Sequence, residues 1–337
     1  MPKPHLAHSI FCQPEPFIIA EVAQAHDGSL GMAHAFIDAA AETGVDAVKF
    51  QTHIASEESS LHEPWRVPFG YEDDSRYAYW ERMEFTDNQW EGLKQHADDR
   101  GLVFLSSPFS IKAVYLLERL EVPFWKVASG EVGNSLLIEH ILRTGKPIIL
   151  SSGMSSLEEL DRTTKDITQR KVALAIMQCT TSYPCPPDKI GLNLIQLFAE
   201  RYHCPVGLSD HSATIYPCIA AAALGAQFFE AHLTLDKRMF GPDTQASLSV
   251  EAMKQMVDGI RAVHQMITHP LDKDQWAATT LPMRKIFNQS LVAACDIPAG
   301  TPVQFEQLTC RKPLRGIPAG EFEQFLGKSI AQPIEKG

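Results

Sequence analysis

The sequence predicts a (β/α)8 barrel followed by a small C-terminal domain, and three observations support this fold class. Short apolar runs that resemble fully buried strands recur through residues 1–268, and a segment with helical spacing follows each run. Burial of a strand on both faces is typical of a parallel sheet. Eight such units over roughly 250 residues are the size of a closed barrel.

The apolar runs predict eight strands. They are Phe17–Val22, Ala47–Thr52, Val103–Ser107, Phe124–Ala128, Pro147–Ser151, Val172–Cys179, Pro205–Ser209 and Phe228–Leu233. The helices between them carry one apolar stripe each, as Met32, Phe36 and Ala40 illustrate. An open doubly wound sheet is the alternative, but no G-x-G-x-x-G or Walker-type loop follows any strand.

The longest gap between strands is the one between the second and the third. We interpret residues 57–87 as an insertion over the barrel mouth, because long loops in compact domains are usually functional. The insertion is rich in aromatic side chains, namely Trp65, Tyr71, Tyr77, Tyr79 and Trp80.

The pattern changes after about Thr268. We predict a barrel over residues 1–268, a linker over 269–284 and a small turn-rich domain over 285–337. The small domain is below the size at which a core is comfortably self-sufficient. We therefore expect it to depend on contacts with another part of the protein or with a second subunit.

Composition argues against several classes of protein. The chain has 337 residues and a formal net charge of -11, whereas binding to nucleic acid or to an anionic membrane needs a basic face. Its cysteines are odd in number and include no C-x-x-C pair, which argues against a disulfide framework and a thiolate zinc site. Neither a signal-peptide pattern nor a membrane-spanning apolar stretch is present. We expect a cytoplasmic protein without nucleic-acid or membrane partners.

Polar residues close nearly every predicted strand. In parallel barrels the side chains at the carboxyl ends of the strands converge on the active site, so these residues are the first candidates for chemistry. They are Glu21, Lys49, Gln51, Ser106, Ser107, Lys126, Ser129, Glu131, Ser151, Ser152, Thr180, Thr181, Tyr183, Ser209, Asp210, His211, Glu230 and His232.

Two lysines, Lys49 and Lys126, lie inside buried strands. An unpaired charge is rarely buried because its desolvation is costly. One explanation is a structural ion pair with Glu21 or Glu131. The other is a bound phosphate or carboxylate, which suits two ammonium groups and a ring of hydroxyls better because both kinds of group donate hydrogen bonds.

Two histidines, His211 and His232, end consecutive predicted strands, and we expect them to lie side by side. A pair of neutral imidazoles suits a transition metal, although either ring is also consistent with a satisfied core histidine. His26 and His53 also follow strands, and each is equally consistent with a solvated loop histidine.

Three carboxylates are further candidates. Glu21 and Glu131 are suited to acid–base work, although each would also balance a lysine. Asp243 follows a Phe-Gly-Pro turn, and an Asx turn accounts for it equally well.

These residues belong to motifs that resemble the sialic acid synthase family, the bacterial enzymes that make N-acetylneuraminate, legionaminate or pseudaminate. The resemblance covers nearly the whole chain, and this many ordered motifs are specific to the family but not to one sugar. The motifs are Ile18-Ile19-Ala20-Glu21, His26-Asp27-Gly28, Val48-Lys49-Phe50-Gln51-Thr52, Ser106-Ser107-Pro108-Phe109, Lys126-Val127-Ala128-Ser129-Gly130-Glu131, Leu150-Ser151-Ser152-Gly153-Met154, Gln178-Cys179-Thr180-Thr181-Ser182-Tyr183-Pro184, Gly207-Leu208-Ser209-Asp210-His211, Glu230-Ala231-His232 and Gly241-Pro242-Asp243.

The resemblance implies a barrel followed by an antifreeze-like (SAF) domain. It also implies an enzyme that condenses phosphoenolpyruvate with N-acetylmannosamine or a related N-acylated mannose-type sugar. The implied phosphoenolpyruvate ligands are Lys49, Ser107, Lys126, Ser129, Ser151 and Ser209. The implied sugar contacts are Gln51, Tyr183, Asp243 and Lys312.

The resemblance further implies roles for the remaining candidates. Glu21 and Glu131 would act near the reacting carbons, and His211 and His232 would hold Mn²⁺, with Mg²⁺ or Co²⁺ as alternatives. The protein would be a domain-swapped homodimer, in which Lys312 of one small domain reaches the sugar in the partner's barrel.

Two departures from the family pattern bear on the sugar. The family often has Asn-His-Asn-Gly where this chain has Ala-His-Asp-Gly at 25–28, and a frequent arginine before proline is here Lys312, with Arg311 and Arg315 nearby.

Two other functions stay open. A related barrel synthase acting on a sugar phosphate needs a second basic phosphate site, and a non-catalytic carbohydrate-binding or ice-binding protein leaves the buried lysines and strand-end histidines unexplained.

Overall fold

The computed structural model describes residues 10–66 and 72–337 of the chain, so Tyr71 lies outside the described residues. By its internal contacts the chain divides into two compact units, one ending at Thr268 and the other spanning His269–Gly337. Within the described ranges, no helix combines the length and the apolar character that crossing a membrane requires.

The first unit is built on eight parallel strands. They are β1 (Phe17–Ala23), β2 (Ala47–Thr52), β3 (Val103–Pro108), β4 (Trp125–Val127), β5 (Ile148–Ser151), β6 (Leu174–Cys179), β7 (Val206–Asp210) and β8 (Phe228–Thr234). Hydrogen-bonded neighbours follow the order β3-β2-β1-β8-β7-β6-β5-β4, so the sheet is a nearly closed barrel. The predicted (β/α)8 barrel is confirmed, and each strand lies where an apolar run predicts it.

Helices follow the strands around the barrel. They are α1 (Leu30–Thr43), α2 (Ala55–Glu58), α3 (Arg76–Met83), α4 (Asp87–Asp99), α5 (Ile111–Arg119), α6 (Ser135–Leu142), α7 (Leu157–Gln169), α8 (Asn193–Tyr202), α9 (Tyr216–Ala223) and α10 (Val250–Thr268). A short strand, β9 (Leu248–Ser249), pairs with β8 just before α10.

Local sequence signals explain where these helices begin and end. The side chain of Ser29 accepts a hydrogen bond from the Met32 backbone N–H and so caps the start of α1. The helix ends at Gly44, whose φ of +80° is a left-handed conformation that glycine adopts without strain. A capping box between Thr86 and Gln89 starts α4 in the same manner.

Side chains alternate between the two faces of each strand, and this alternation positions the candidate site. In β1, Ile18 and Ala20 pack in the larger core with the helices, whereas Ile19 points into the barrel. The amino-terminal part of the barrel interior is filled by apolar side chains, which are Phe11, Phe17, Ile19, Ala47, Leu105, Phe124, Ile149, Ala175, Met177 and Phe228. The next inward position of each strand therefore faces the open carboxyl-terminal end.

The second unit is small and rich in turns. It contains α11 (Lys273–Thr279), α12 (Leu281–Phe287) and an antiparallel pair of strands, β10 (Ser290–Ala293) and β11 (Leu308–Arg311). The segment interpreted as a linker, 269–284, thus includes α11 and the start of α12. Ile297, which is buried, pairs with Ile334 across the unit.

Candidate active site

A cavity of about 390 Å³ lies at the carboxyl-terminal ends of the barrel strands. Among the residues expected to form the site, the first unit contributes all but Lys312. Those that line the cavity are Glu21, Lys49, Gln51, Ser107, Lys126, Ser129, Glu131, Ser151, Tyr183, Ser209, His211, His232 and Asp243. Strand alternation explains most of this convergence, because Glu21, Lys49 and Lys126 each follow an inward apolar residue by two positions.

Strand β1 lies between β2 and β8 and brings opposite charges together. Its Glu21 is in register with Lys49 of β2 and with His232 of β8. Lys49 Nζ lies 2.5 Å from Glu21 Oε2 and 3.7 Å from Glu230 Oε2, and Lys126 Nζ lies 3.2 Å from Glu230 Oε1. We call Glu21, Lys49, Lys126 and Glu230, all buried, the charge cluster.

Burial and mutual attraction act against each other in the charge cluster. Burial raises the pKa of the Glu21 carboxyl, while the Lys49 ammonium opposes this rise. Burial acts in the same direction on Glu230, but the ammonium groups of Lys126 and Lys49 outweigh it and lower the pKa of Glu230 to about 2. Burial tends to lower the pKa of Lys49, but Glu21 and Glu230 overcome it and raise that pKa.

Lys126 differs from Lys49 in this respect. Burial lowers the pKa of Lys126, and the attraction of Glu230 does not fully compensate. Lys126 is therefore the member of the cluster whose positive charge is least balanced. An incoming anion near Lys126 would raise this pKa by attraction and so stabilise the ammonium form.

Serine hydroxyls surround the two ammonium groups. Lys126 Nζ donates to Ser151 Oγ at 2.8 Å, and Lys49 Nζ donates to Ser107 Oγ at 3.4 Å. An ammonium group carries three N–H bonds and a hydroxyl one O–H bond, so the set can donate several hydrogen bonds to a phosphate or carboxylate. The hydroxyls that line the cavity with these lysines are those of Ser107, Ser129, Ser151 and Ser209.

The structural ion pair considered for the buried lysines is present, but one partner differs from those expected. Lys49 pairs with Glu21, whereas Lys126 pairs with Glu230 and not with Glu131. Glu131 instead accepts a hydrogen bond from Asn134 Nδ2 at 2.8 Å. Burial raises the pKa of Glu131 against this hydrogen bond, which suits a carboxyl that exchanges protons.

His211 and His232 face the same cavity, with ring centroids 5.2 Å apart. His211 Nδ1 lies 2.9 Å from the Thr180 carbonyl oxygen and must carry the proton, so Nε2, 3.1 Å from the Tyr183 hydroxyl, keeps its lone pair. Burial and the neighbouring His232 lower the pKa of His211 to about 3, which keeps the ring neutral near pH 7. His232 Nδ1 lies 3.9 Å from Asp243 Oδ2.

This pair of imidazoles fits a divalent transition metal with open coordination positions. A metal-ligating histidine usually donates its second ring N–H to a carbonyl or carboxylate, as His211 does to Thr180. Among residues 10–66 and 72–337, no group of three or more His, Cys, Asp and Glu side chains is arranged to hold a metal ion. The two imidazoles would therefore leave the remaining positions to water or substrate.

The residues expected to contact the sugar lie in the same cavity. Arg66 Nη2 is 2.8 Å from Asp243 Oδ1, and the guanidinium carbon of Arg66 lies 4.5 Å from the centroid of the Tyr183 ring. Gln51 Nε2 donates to Glu21 Oε1 at 2.9 Å. The Asp243 carboxylate thus lines the cavity and pairs with a guanidinium group. An Asx turn alone would not account for either contact.

Several residues in or near the cavity had no assigned role, or an open one, when only the sequence was considered. Glu230 carried a readable signal, because it lies two positions after the inward Phe228. His26 and His53 are buried, so the alternative of a solvated loop histidine is wrong for both. Gln24 and Arg66 also line the cavity but lie outside the helices and strands, where no periodicity predicts the path of the chain, and Glu58, which lines it too, is the last residue of the short helix α2.

Lys312, the fourth expected sugar contact, lies in the second unit. Its side chain is exposed, with Nζ 5.3 Å from the centroid of the Phe287 ring. Arg311 and Arg315 are exposed as well, so the three residues form a basic group on this unit. A role for Lys312 at the sugar stays a prediction.

Comparison with known families decides the identity of the chain. A model described as the NeuB family matches residues 36–271, and a model of the SAF domain matches residues 288–337. The chain belongs to the NeuB family of sialic acid synthases. The SAF domain predicted after the barrel is confirmed.

Relatives within the family are similar over almost their whole length. The N,N'-diacetyllegionaminic acid synthase of Campylobacter jejuni is 33% identical over 317 residues, 92% of this chain and 94% of the relative. The N-acetylneuraminate-9-phosphate synthase of Homo sapiens is 31% identical over 327 residues, 95% of this chain and 90% of the relative. Among solved structures, the N-acetylneuraminic acid synthetase of Leptospira borgpetersenii, in complex with citrate, has a TM-score of 0.71 at 26% identity, over 79% of this chain and 91% of that one. These similarities support membership of the chain in the family, whose members are named for different sugars.

Proposed function

We propose that the protein condenses phosphoenolpyruvate with N-acetylmannosamine, or with a related N-acylated mannose-type sugar, and water. The products are a nine-carbon 2-keto acid sugar and phosphate. The observation that carries this proposal is the charge cluster with its serine hydroxyls in one cavity with two imidazoles. The relatives named as synthases of legionaminic acid and of N-acetylneuraminate 9-phosphate support the reaction class.

Phosphoenolpyruvate carries a phosphate and a carboxylate, and the proposed ligands are donors to both. Lys126 and Lys49 supply ammonium groups, and the hydroxyls of Ser107, Ser129, Ser151 and Ser209 supply further hydrogen bonds. The incompletely balanced charge of Lys126 supports a direct contact with the anion. These groups act as preorganised electrostatics, and neither lysine serves as a nucleophile.

The proposed reaction forms one carbon–carbon bond and one carbon–oxygen bond to water, and it breaks the carbon–oxygen bond to phosphate. The methylene carbon of phosphoenolpyruvate attacks the aldehyde carbon of the open-chain sugar, whose oxygen takes up a proton and becomes a hydroxyl. Water adds at the enol carbon, where positive charge develops, and loses a proton. The tetrahedral intermediate then expels phosphate and leaves the 2-keto group. Glu21 and Glu131 are the proposed groups that orient the water and accept its proton.

His211 and His232 are the proposed holders of a divalent ion, with Mn²⁺ as the first choice and Mg²⁺ or Co²⁺ as alternatives. The neutral His211 ring and its carbonyl-bound Nδ1 support this assignment. When bound there, such an ion supplies Lewis acidity at the sugar aldehyde. Tyr183, which hydrogen-bonds to His211 Nε2, then lies beside the proposed sugar position, and with Gln51 and Asp243 it forms the proposed sugar contacts.

One observation favours a second candidate, a sugar phosphate as acceptor. Arg66 and Arg76 both line the cavity, and the human relative is named for a 9-phosphate product. Guanidinium groups suit phosphate because they offer paired donors. Against this candidate, Arg66 is already paired with Asp243 and Arg76 with Glu63, at 2.8 and 2.6 Å.

We also propose a homodimer in which the small domain of one subunit completes the barrel cavity of the other. The second unit exposes several apolar side chains, among them Trp276, Leu281, Met283, Ile286 and Phe287. Exposed apolar area of this kind marks an interaction surface. The basic group of Arg311, Lys312 and Arg315 is suited to a partner surface that is acidic or rich in carbonyl groups.

The test of this function is phosphate release from phosphoenolpyruvate by the purified full-length protein. We expect release only with an acceptor from a panel of N-acetylmannosamine, its 6-phosphate and a 6-deoxy-diacetamido relative. Chelation should abolish turnover and Mn²⁺ should restore it. His211→Ala should weaken Mn²⁺ binding, whereas His34→Ala, on a partly exposed helical surface, should not. Full activity in excess chelator would contradict the metal assignment, and release without any sugar would contradict the condensation.

A further inference from the structure

His53 stands just after β2 and is held on both faces by aromatic rings. Its ring centroid lies 3.9 Å from that of Trp80 and 4.5 Å from that of Phe109, with interplanar angles of 19° and 14°. The side chain is buried. Two nearly parallel neighbours fix the plane of the imidazole, so its nitrogens point in fixed directions.

The partners of the two nitrogens define the tautomer of the ring. Nδ1 lies 2.6 Å from Glu58 Oε1, and a carboxylate only accepts, so Nδ1 carries the proton. Nε2 lies 2.9 Å from Gln24 Nε2, which only donates, and 3.2 Å from Gln51 Oε1, which only accepts; the shorter contact makes Nε2 the acceptor. Glu58 is itself fixed, because its Oε2 accepts a hydrogen bond from the Ile54 backbone N–H at 3.2 Å.

The hydrogen-bond chain continues from Gln24 to the charge cluster. The Gln24 amide has two N–H bonds, and the second is directed to Gln51 Oε1. Gln51 Nε2 donates in turn to Glu21 Oε1 at 2.9 Å. His53 thus orients Gln24 by accepting one of its N–H bonds, and Gln24 orients Gln51 by donating the other. Gln51 then donates to Glu21.

We propose that His53 is a positioning residue, which fixes the orientation of the Gln24 and Gln51 carboxamides and through them the carboxylate of Glu21. This inference rests on the proposed function for the part that concerns turnover. If the Gln51 carboxamide turned over, its oxygen would face the Glu21 carboxylate, and two acceptors repel each other. The Nε2 acceptor of His53, acting on Gln24, removes that alternative.

The role is positioning and not proton transfer. Both nitrogens of His53 are already occupied, one by Glu58 and the other by Gln24. Among the phosphoenolpyruvate ligands proposed above, Lys49 contacts this chain only at its end, Glu21, whereas Lys126 and Ser151 bond to each other and not to His53, Gln24 or Gln51. The two parts of the cavity can therefore be separated by kinetics.

Three substitutions at His53 distinguish this role from two structural ones. In the first, His53 would serve only to hold Glu58, and in the second only to fill the space between Trp80 and Phe109. His53→Gln places an acceptor near the position of Nε2 and keeps the link to Gln24. His53→Asn places an amide near Nδ1 and keeps the link to Glu58 alone. His53→Phe keeps only the stack with Trp80 and Phe109. Each role therefore makes a different variant the most active.

We expect kcat to be highest for His53→Gln, and to fall about 10- to 100-fold for His53→Asn and His53→Phe, because small misplacements of a reacting group have effects of this size. The KM for phosphoenolpyruvate should stay within about twofold of the wild-type value. Melting temperatures are measured beside the rates. A best kcat for His53→Phe or His53→Asn, or rates that follow the melting temperatures, would overturn the proposal.

A spectroscopic measurement tests the same chain without any turnover. In the wild-type protein, ¹⁵N NMR of His53 should show a protonated Nδ1 and an unprotonated Nε2. The side-chain amide signals of Gln51 should move in His53→Phe and stay near their wild-type positions in His53→Gln. A protonated Nε2, or unmoved Gln51 signals in His53→Phe, would overturn the proposal. Lack of synthase activity in the wild-type protein would instead count against the proposed function alone.

Discussion

Lys126 is the residue on which the anion-binding account depends most. Its carboxylate partner is Glu230, at 3.2 Å, whereas Lys49 is near both Glu21 and Glu230. A purely structural network would need Lys126 only for stability. An anion site needs it for the binding of phosphoenolpyruvate.

The first prediction separates these two roles. Lys126→Met should reduce kcat/KM for phosphoenolpyruvate by the equivalent of about 2 to 5 kcal/mol, because a buried charge partner of the anion is lost. The KM for the sugar should change far less. The matched control is Lys94→Met, since Lys94 pairs with Asp98 on an exposed helix face. A lower melting temperature with unchanged phosphoenolpyruvate kinetics would support the structural role instead.

His26 gives the second prediction, which concerns acid stability. The ring is buried, and its Nδ1 accepts a hydrogen bond from the Gly28 N–H at 3.1 Å. Burial, together with His53 and Arg82, lowers the pKa of His26 from 6.5 to about 3. Between these two pH values the unfolded chain binds a proton that the folded chain does not, so stability falls by up to about 1.4 kcal/mol per pH unit as the pH drops.

The measurement is urea unfolding of the wild-type protein and of His26→Asn at pH 7 and pH 5. We expect the variant to be less stable at pH 7, because the buried contacts of the ring are lost, but to lose less stability on going to pH 5. An equal loss of stability for both proteins would show that burial does not lower the pKa of His26 in the folded protein.

At the scale of elements, the strands were predictable and the loops were not. Each apolar run predicted a strand because both faces of a parallel barrel are buried, and alternation then assigned Glu21, Lys49 and Lys126 to the interior. The ion pair of Lys126 with Glu230 depends on side-chain reach across the barrel, which a linear pattern does not contain. The positions of Arg66 and Glu58 depend on how the segment between β2 and β3 folds back.

The close packing of β7 against β8 gives the third prediction. A Cβ atom on Gly207 would lie 2.3 Å from the Phe228 carbonyl oxygen and 2.7 Å from Phe228 Cβ, which are strand atoms that cannot move aside. Gly207→Ala should therefore lower the free energy of unfolding by about 1 to 3 kcal/mol or more. The control is Gly92→Ala in α4, where no atom lies within 4 Å of the new Cβ, and which should be neutral or stabilising. Equal stability of the two variants would contradict the observed strand packing.

At the scale of the whole molecule, the chain consists of two compact units with the family's barrel and SAF domain. The proposed exchange of small domains between subunits gives the fourth prediction. Glu21→Ala alters a barrel, and Lys312→Ala combined with Arg315→Ala alters a small domain, and each protein alone should be nearly inactive. In a swapped dimer, a mixed pair contains one site built from two unaltered parts.

Random exchange of subunits should therefore restore about a quarter of the wild-type activity, because half of the dimers are mixed and each has one intact site. The measurement is the rate after co-refolding of equal amounts of the two variants. Mixed dimers that form, as native mass spectrometry would show, but have no activity would mean that the small domain does not act on the partner's barrel.

The most direct test of the central claim is the fate of the oxygen atoms during turnover. The reaction is run in H₂¹⁸O with phosphoenolpyruvate, Mn²⁺ and the acceptor sugar that supports phosphate release, and phosphate and sugar product are analysed by mass spectrometry. If water adds to the enol carbon after the carbon–carbon bond forms, the phosphate keeps only oxygens from phosphoenolpyruvate, and a nine-carbon 2-keto acid appears in equal amount. Labelled phosphate together with pyruvate, and no nine-carbon product, would show hydrolysis at phosphorus and contradict the account.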